Sequence, residues 1–329
     1  MPHGKSPKHT RKARSKSSAA NKRGQGPARK KLGSDDRAAS GVGGAASVGQ
    51  STPIDRSVRL QKLIAGAGFG SRRDVEQFIV DQRVTVNGRV VNVGDRADPG
   101  VDDIRLDGER LLREKPSYWI LNKPRGVVTT VRDNEGRKTV ISLMPKNIGR
   151  LFPVGRLDRE TSGLLLLTND GDTAHVLLHP SLGNEREYRV SVKGHIDAKA
   201  VGRLEKGVSL EDGRTSPGRV SNVRLDPDSG NSSFALVLME GRKRQIRRSL
   251  LVLGFPVRRL VRVRMGPLRL GRLAVGQARP LRSEERRSLL MHAEKLRDAP
   301  KSSKNKSRAG RARSTSVQRT VSSKKGTRK

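Results

Sequence analysis

Residues 155–171 read GRLDRETSGLLLLTNDG. The leucines at 164–167 form a short apolar run with turn-forming residues on both sides, which is typical of a fully buried strand. Asp158 precedes this run, between Arg156 and Arg159, and the two cations favour its ionised form. An ionised carboxylate at the edge of a core strand suits a general base or a nucleophile. On spacing alone, the pattern nevertheless fits a structural aspartate that caps a turn better than a catalytic one.

Upstream of this segment, the sequence predicts two short helices and two hairpins. Residues 56–68 carry apolar side chains at i, i+3, i+4 and i+7, which indicates one helical face. Ser71 followed by Asp74 is typical of a capping box at the start of a second helix. The dipeptides at 87–88 (Asn-Gly) and 107–108 (Asp-Gly) predict tight turns, the first leading into a return strand that runs through the valines up to position 93.

The charge of the chain is large and unevenly distributed. The 329 residues carry a formal net charge of +38. Residues 1–50 hold 12 basic and 2 acidic residues, residues 299–329 hold 11 basic and no acidic residues, and every aromatic residue lies between these ends. Such ends cannot bury enough apolar surface to offset the entropy of ordering, so we expect disordered basic tails at 1–55 and 299–329. The excess of cations favours nucleic acid as the partner.

Several classes of protein are excluded or disfavoured by composition. The chain has no cysteine, which excludes disulfides, cysteine-based zinc sites and iron–sulfur clusters. No apolar run approaches the roughly 20 residues of a membrane span, and the basic start has no apolar stretch typical of a signal peptide. We therefore expect a cytoplasmic protein that does not bind membranes. His175 and His179 have a spacing that could hold a metal, but no third ligand accompanies them, so we predict no metal site.

The predicted small domain resembles the S4 RNA-binding domain. The matching stretches are the first helix from Arg59, the Ser-Arg-Arg opening of the second helix, and the valine-rich strand that ends at the Asn-Gly turn. The resemblance implies that Arg72 and Arg73, with Lys62 and Arg59, face RNA phosphates. An arginine in the first turn of a helix opposes the helix dipole, so its position there has a cause other than helix stability. The alternative is a solvated arginine pair.

Residues 155–171 resemble the signature of pseudouridine synthases of the RsuA/RluB type. Three further motifs keep the order that this family shows, namely Asn-Lys-Pro-Arg-Gly before it at 122–126, then Glu-Tyr-Arg-Val at 187–190, and EGRKRQIRR at 240–248 with RVRMGPL at 262–268.

The resemblance spans about residues 56–282. It implies an α+β fold in which a catalytic domain at 116–298, with a mixed, mainly antiparallel sheet, follows a small S4 domain at 56–115. It also implies ribosomal RNA as the substrate, and the long basic tails favour the large subunit over the small one. We expect a monomer without a protein partner.

The resemblance also assigns catalytic roles. Asp158 matches the carboxylate that acts at the ribose of the target uridine, either by attacking C1′ or by removing the 2′ proton, and both routes stay open. The N1–C1′ bond breaks, the uracil turns, and C5 rejoins C1′, so neither a cofactor nor a metal is implied. Tyr188 matches the tyrosine that stacks on the base, and Arg247 matches the basic residue that pairs with Asp158 and keeps it charged.

Three further residues are expected near the substrate. Ile246 matches an apolar residue beside the base, although its helical spacing with Leu250 also fits an ordinary core position. Arg156 matches an arginine that helps to open the RNA around the target. Lys123 and Arg125 lie in a predicted loop before a second strand at 127–130, where they either contact phosphate or are ordinary exposed charges.

Two other functions remain as alternatives. A catalytically silent RNA-binding factor with the same fold would be expected to lack Asp158, Tyr188 or Arg247, and all three are present. A hydrolase with an aspartyl nucleophile of the Asp-x-Asp type would need an aspartate at position 160, where this chain has glutamate.

Overall fold

A computed structural model of the chain describes residues 56–112 and 114–299. The tails predicted at 1–55 and 299–329 lie outside these ranges, except for Ala299. We call residues 56–112 the N-terminal module and residues 114–299 the larger unit. Within the described ranges, no helix is long and apolar enough to cross a membrane.

The N-terminal module consists of two helices and short strands around one small core. Its elements are β1 (Val58–Arg59), α1 (Leu60–Gly66), α2 (Arg72–Val80), β2 (Val84–Val86), β3 (Arg89–Val90), β4 (Arg96–Ala97), β5 (Ile104–Leu106) and β6 (Glu109–Arg110). Strands β3, β2, β5 and β6 form an antiparallel sheet in that order, and β1 pairs with β4. Leu60 and Ile64 of α1 pack against Val75 and Ile79 of α2 in the core.

The sequence predicted the elements of this module better than their bounds. The capping box of α2 is confirmed, because Ser71 N–H donates to Asp74 Oδ2 at 2.7 Å and Asp74 N–H donates to Ser71 Oγ at 3.1 Å. The first helix was predicted over 56–68 but begins only at Leu60, because the two preceding residues pair with β4. The predicted return strand through position 93 is limited to the two residues of β3.

The larger unit is built on one mixed sheet. Its strands are β7 (Tyr118–Lys123), β8 (Phe152–Pro153), β9 (Ser162–Thr168), β10 (Arg186–Val192), β11 (Ser209–Leu210), β12 (Gly213–Arg214), β13 (Arg219–Asp226), β14 (Asn231–Leu238), β15 (Val257–Met265), β16 (Leu268–Arg269) and β17 (Ala278–Pro280).

The order along the sheet is β13-β14-β10-β15-β9-β7-β17, with β8 beside β9, β16 beside β15, and β11–β12 as a separate hairpin. Among the described strands of this sheet, β15 and β9 are the one parallel pair. The predicted α+β fold with a mainly antiparallel sheet is confirmed.

Helices cover both faces of the sheet. They are α3 (Gly171–Leu178), α4 (Ala198–Lys206), α5 (Gln245–Val252) and α6 (Ser283–Asp298). Leu165 and Leu167 belong to the core that includes residues of α4 and α5, whereas Leu164 and Leu166 belong to the core that includes residues of α3 and α6. A strand that is buried on both faces needs apolar side chains at consecutive positions, which explains the run of four leucines in β9.

Close packing at the start of β9 requires glycine. Gly163 has a φ of +106°, and a β-carbon there would overlap the backbone carbonyl oxygen of Arg262 on the neighbouring parallel strand. The second strand predicted at 127–130 is not part of the sheet, since only an isolated bridge joins Val128 to Thr139. The loop instead folds over the segment that carries Asp158.

Polar contacts fasten the N-terminal module to the larger unit. Arg150 donates to the backbone carbonyl of Gly70 and, at 3.4 Å, to that of Ala65. Lys62 Nζ lies 2.5 Å from Asp172 Oδ1. The contacts meet the C-terminal end of α1, the loop before α2 and the first turn of α3, so the module is placed beside the end of β9 that lies furthest from Asp158.

Candidate active site

Asp158 lies on a loop between β8 and β9 whose backbone is fixed on both sides. Thr129 Oγ1 donates to the Leu157 carbonyl at 2.7 Å, and the Leu157 N–H donates back to the same oxygen at 3.3 Å. The Thr161 N–H donates to the Asp158 carbonyl at 3.0 Å. The Asp158 side chain is half-buried, and no side chain in the described ranges hydrogen-bonds to its carboxylate. A carboxylate on a rigid loop is therefore left available to a substrate.

Lys123 is not the exposed loop cation that the sequence predicted. It is the last residue of β7 and is fully buried. Its Nζ lies within hydrogen-bonding distance of four backbone carbonyl oxygens, those of Thr161 at 2.9 Å, Pro124 at 3.0 Å, Asp158 at 3.1 Å and Arg159 at 3.5 Å. Burial lowers the pKa of Lys123 to about 8, and the negative charge of Asp158 opposes this effect. A buried ammonium cannot contact RNA phosphate, so this prediction was wrong. The lysine instead stabilises the Asp158 loop through its hydrogen bonds to the backbone.

Arg247 approaches the same loop from α5. Its Nη2 donates to the Glu160 carbonyl at 3.1 Å, and its Nε lies 3.9 Å from Glu160 Oε2. Burial lowers the pKa of Arg247, and the carboxylates of Glu160 and Asp158 oppose this effect. Within the described ranges, the ion pair that Arg247 forms within 4.0 Å is with Glu160 and not with Asp158. The direct pair predicted for Arg247 and Asp158 is thus not formed in this part of the chain, although the two charges lie within electrostatic range.

Tyr188 and Ile246 lie in the core that supports this loop. Both side chains are buried in the cluster that also contains Leu157, the residue before Asp158. Tyr188 is on β10, opposite Arg262 of β15, at a bulge in the strand pairing. The predicted helical stripe of Ile246 and Leu250 is confirmed, since both contribute to this core. Tyr188 and Ile246 therefore belong to the same apolar core as the residue that precedes Asp158.

A buried arginine that the sequence did not single out lies next to Tyr188. Arg262 is almost fully buried, and its Nε donates to the Leu164 carbonyl at 2.8 Å. One of its terminal nitrogens is buried without a hydrogen-bond partner in the described part of the chain. Unsatisfied buried donors are rare and costly, so this one is consistent with a site that accepts an external oxygen.

The remaining predicted residues divide between two ends of β9. Arg156 is exposed at the Asp158 end, whereas Arg72 and Arg73 are exposed in the first turn of α2, near the other end. Lys62 is held by Asp172, so it joins the two parts of the chain and is not a free phosphate ligand. The seven residues of β9 separate the two ends by about 20 Å.

The sequence did not reveal the partners of two side chains of the site, Glu160 and Lys123. Glu160 pairs with Arg244 at 3.2 Å as well as approaching Arg247, and these arginines, with Arg244 first, lower its pKa. Lys123 could have been suspected because it ends an apolar strand without a polar residue to face solvent. No group of three or more potential metal ligands occurs in the described residues.

Comparisons with known proteins agree with this arrangement. A model of the RNA pseudouridylate synthase family matches residues 117–251, and a model of the S4 domain matches residues 58–103. The chain is 41% identical over 227 residues to ribosomal large subunit pseudouridine synthase B of Bacillus subtilis, which covers 69% of this chain and 93% of that protein.

A protein of the same name from Pseudomonas aeruginosa is 43% identical over 236 residues, which cover 69% of this chain and 60% of that protein. A crystal structure of a pseudouridylate synthase has a TM-score of 0.51 at 30% identity and covers 70% of this chain and 99% of that one.

Proposed function

The chain belongs to the RNA pseudouridylate synthase family, and on that premise we propose that it isomerises a uridine of large-subunit ribosomal RNA to pseudouridine. The observation that carries the proposal is the rigid loop that presents the half-buried Asp158 carboxylate beside Arg247. The names of the Bacillus and Pseudomonas relatives support the choice of the large subunit. We assign RNA binding to an S4 domain at 56–115 and catalysis to the domain at 116–298, which contain most of the two matched ranges.

In the proposed reaction, the Asp158 carboxylate acts at the ribose of the target uridine. It either attacks C1′ or removes the 2′ proton, and the N1–C1′ bond then breaks. The freed uracil turns and its C5 bonds to C1′. The proton on C5 is lost and N1 ends protonated, so the product has the same atoms as the substrate. Arg247 supplies positive charge within electrostatic range of the Asp158 carboxylate.

The base and the opened RNA need their own contacts. Tyr188 stacks on the uracil, and Ile246 closes the apolar side of the same pocket. A uridine within a stack must be extruded at a cost of a few kcal/mol, and Arg156 at the mouth of the cleft occupies the vacated space or holds the displaced backbone.

The Asp158→Asn substitution tests the chemical role of the carboxylate. Because an amide can neither attack C1′ nor accept a proton, we expect the rate of pseudouridine formation to fall by at least about 10³-fold. RNA affinity should stay close to that of the unsubstituted protein, since the phosphate contacts are made elsewhere on the chain. Conversion is measured by carbodiimide labelling of transcribed large-subunit RNA, and affinity by filter binding. The matched control is Asp228→Asn in an exposed turn. Normal conversion by Asp158→Asn would refute the mechanism.

A double substitution tests the S4 surface. Because Arg72 and Arg73 are exposed in the first turn of α2, we expect their joint replacement by alanine to weaken RNA binding at every sequence tested. The slope of log affinity against log salt should become shallower by about 0.9 for each phosphate that is no longer neutralised. Replacement of Arg89 and Arg110, exposed on the hairpins of the same module, is the control for net charge. An unchanged slope would remove α2 from the RNA interface.

A further inference from the structure

The last helix has a second face that the core does not use. Leu289 and Ala293 of α6 are buried against the larger unit. A shallow groove of about 570 Å³ runs along the adjacent face of α6 and is closed on the other side by Thr173 of α3. Three arginines of this groove are exposed, and we call them the α6 arginine face: Arg286, Arg287 and Arg297.

The charges of the α6 arginine face are not neutralised within the described residues. Arg287 and Arg297 form no ion pair within 4.0 Å in that part of the chain, and Arg286 lies over the ring of Tyr118, 5.5 Å from its centre. Glu294 is the one acidic residue of the groove, which keeps a net charge of +2. Two arginines close to the N-terminus of a helix also oppose its dipole. Helix stability therefore does not explain this placement.

One end of the groove lies at the first turn of α3, which is close to Arg72 of the N-terminal module. Thr173 lies in the first turn of α3, and a β-carbon at Gly171, two residues before it, would lie 3.8 Å from a terminal nitrogen of Arg72. The acidic residues at this junction are already engaged. Asp172 pairs with Lys62, and Asp170 accepts from the Tyr118 hydroxyl at 2.6 Å. These two carboxylates therefore already have partners within the chain.

We propose that the α6 arginine face is a second RNA-backbone site, which holds the strand that continues from Arg72 away from the catalytic cleft. This inference rests on the proposed function, because it takes RNA as the substrate. Guanidinium groups present planar pairs of donors that match phosphate oxygens, and Leu290 and Met291 offer an apolar floor for the sugars.

The first test compares two double substitutions that remove the same charge. Arg287→Gln with Arg297→Gln should weaken the binding of transcribed large-subunit RNA about tenfold and lower the salt slope by about 2, one phosphate per arginine. The rate at saturating RNA should not change, so the effect falls on KM. Lys199→Gln with Arg203→Gln, exposed on α4, is the control and should change affinity less than about twofold. If both variants lost RNA affinity equally, the loss would be due to net charge alone, and the proposal would be overturned.

The second test locates the RNA directly. Because the chain lacks cysteine, Met291→Cys introduces a unique thiol into the groove, to which an iron–EDTA group can be attached. We expect hydroxyl radicals from this position to cleave bound large-subunit RNA within one short segment, whereas Lys199→Cys should give no matching cleavage. Absence of cleavage from position 291 would overturn the proposal.

The two tests separate this site from the proposed function. If the protein forms no pseudouridine but RNA is cleaved from position 291, the reaction is refuted and the RNA site stands. If the protein forms pseudouridine, but the arginine substitutions leave RNA affinity unchanged and no cleavage occurs from position 291, the site is refuted and the reaction stands. Binding of the Arg287→Gln, Arg297→Gln variant is also compared on anionic vesicles and on an acidic peptide. A loss confined to either of these would assign the groove to another class of partner and overturn the RNA site.

Discussion

At the scale of single residues, Lys123 shows how a buried charge can organise a catalytic loop. Burying an ammonium group is costly unless it is paired or hydrogen-bonded. No carboxylate pairs with Lys123 in the described chain, and the backbone carbonyls of Asp158 and Thr161 accept from it instead. The loop is folded around this ammonium much as a peptide folds around a bound ion. The position of the Asp158 carboxylate thus depends on a residue that the substrate does not touch.

Lys123→Met tests this positioning role. The substitution keeps the stem of the side chain but leaves buried carbonyl groups without a donor, so the free energy of unfolding should fall by about 2–4 kcal/mol. Conversion of uridine should fall further than RNA affinity, because the loop and not the RNA surface is disturbed. Urea unfolding, conversion and filter binding measure the three effects. The control is Lys138→Met, an exposed lysine of the loop that covers the site, for which little change is expected.

The lowered pKa of Lys123 gives a further test of the same residue. Its pKa is about 8 in the folded chain and 10.5 when unperturbed. At pH values between these two pKa values, Lys123 is protonated in the unfolded chain but not in the folded one. Its contribution to the free energy of unfolding therefore rises with pH, by at most about 1.4 kcal/mol per pH unit. Below about pH 8 the contribution is constant. The difference in unfolding free energy between the unsubstituted protein and Lys123→Met should therefore grow from about pH 8 to 10. A constant difference would contradict the lowered pKa.

The residue scale also shows where sequence-based prediction ends. The motif resemblance singled out Asp158, Tyr188 and Arg247, and a shared catalytic role for them stays a prediction. The partners of these side chains were not predictable. Glu160 rather than Asp158 forms the ion pair with Arg247, and this depends on how α5 approaches the loop in three dimensions. Lys123 was assigned to the surface because a lysine beside proline and glycine is usually exposed.

At the scale of elements, β9 organises the larger unit because both of its faces are buried. The run of leucines predicted this strand correctly, since apolar residues at consecutive positions suit a strand covered on both sides. Its parallel neighbour β15 was not predictable from local pattern, because the paired residues are far apart in the sequence. The segment at 127–130 has strand-like residues but finds no partner strand.

Gly163→Ala tests the contact between β9 and β15. A methyl group at Gly163 would overlap the Arg262 carbonyl oxygen, and the positive φ adds strain, so we expect a loss of more than about 4 kcal/mol in unfolding free energy. Gly194→Ala is the matched control, because Gly194 also has a positive φ but has open space where a β-carbon would lie. This control should lose only about 1–2 kcal/mol. The free energy of unfolding is measured by urea unfolding. Similar losses in both variants would mean that the positive φ, and not the contact with β15, causes the loss of stability.

At the scale of the whole molecule, the arrangement of the two parts depends on a few polar contacts. Arg150 binds carbonyl groups at the end of α1 and before α2, and Lys62 pairs with Asp172. Both contacts are polar, and interfaces of this polar kind usually permit relative motion of domains. RNA that bridges Arg72 and the cleft would therefore act on the orientation of the module as well as on its own binding.

Arg150→Gln tests this docking. The substitution removes the guanidinium that reaches both carbonyls, so the module should separate more often without unfolding. We expect faster proteolysis around Lys115, between the two parts, and a several-fold rise in KM for RNA, while the unfolding midpoint of the larger unit stays the same. The control is Lys146→Gln, an exposed residue shortly before Arg150. If proteolysis and KM both match the control, Arg150 does not hold the module in place.

The burial of β9 on both faces has a consequence for how target choice can change. Side chains alternate along a strand, so the insertion of one residue into β9 would exchange the sets of leucines that face the two cores. The distance between the Asp158 carboxylate and the exposed arginines of α2 is thus fixed by the length of β9. Descendants of this sequence cannot shift to an adjacent nucleotide by small changes of length. A new target would have to come from reorienting or exchanging the N-terminal module.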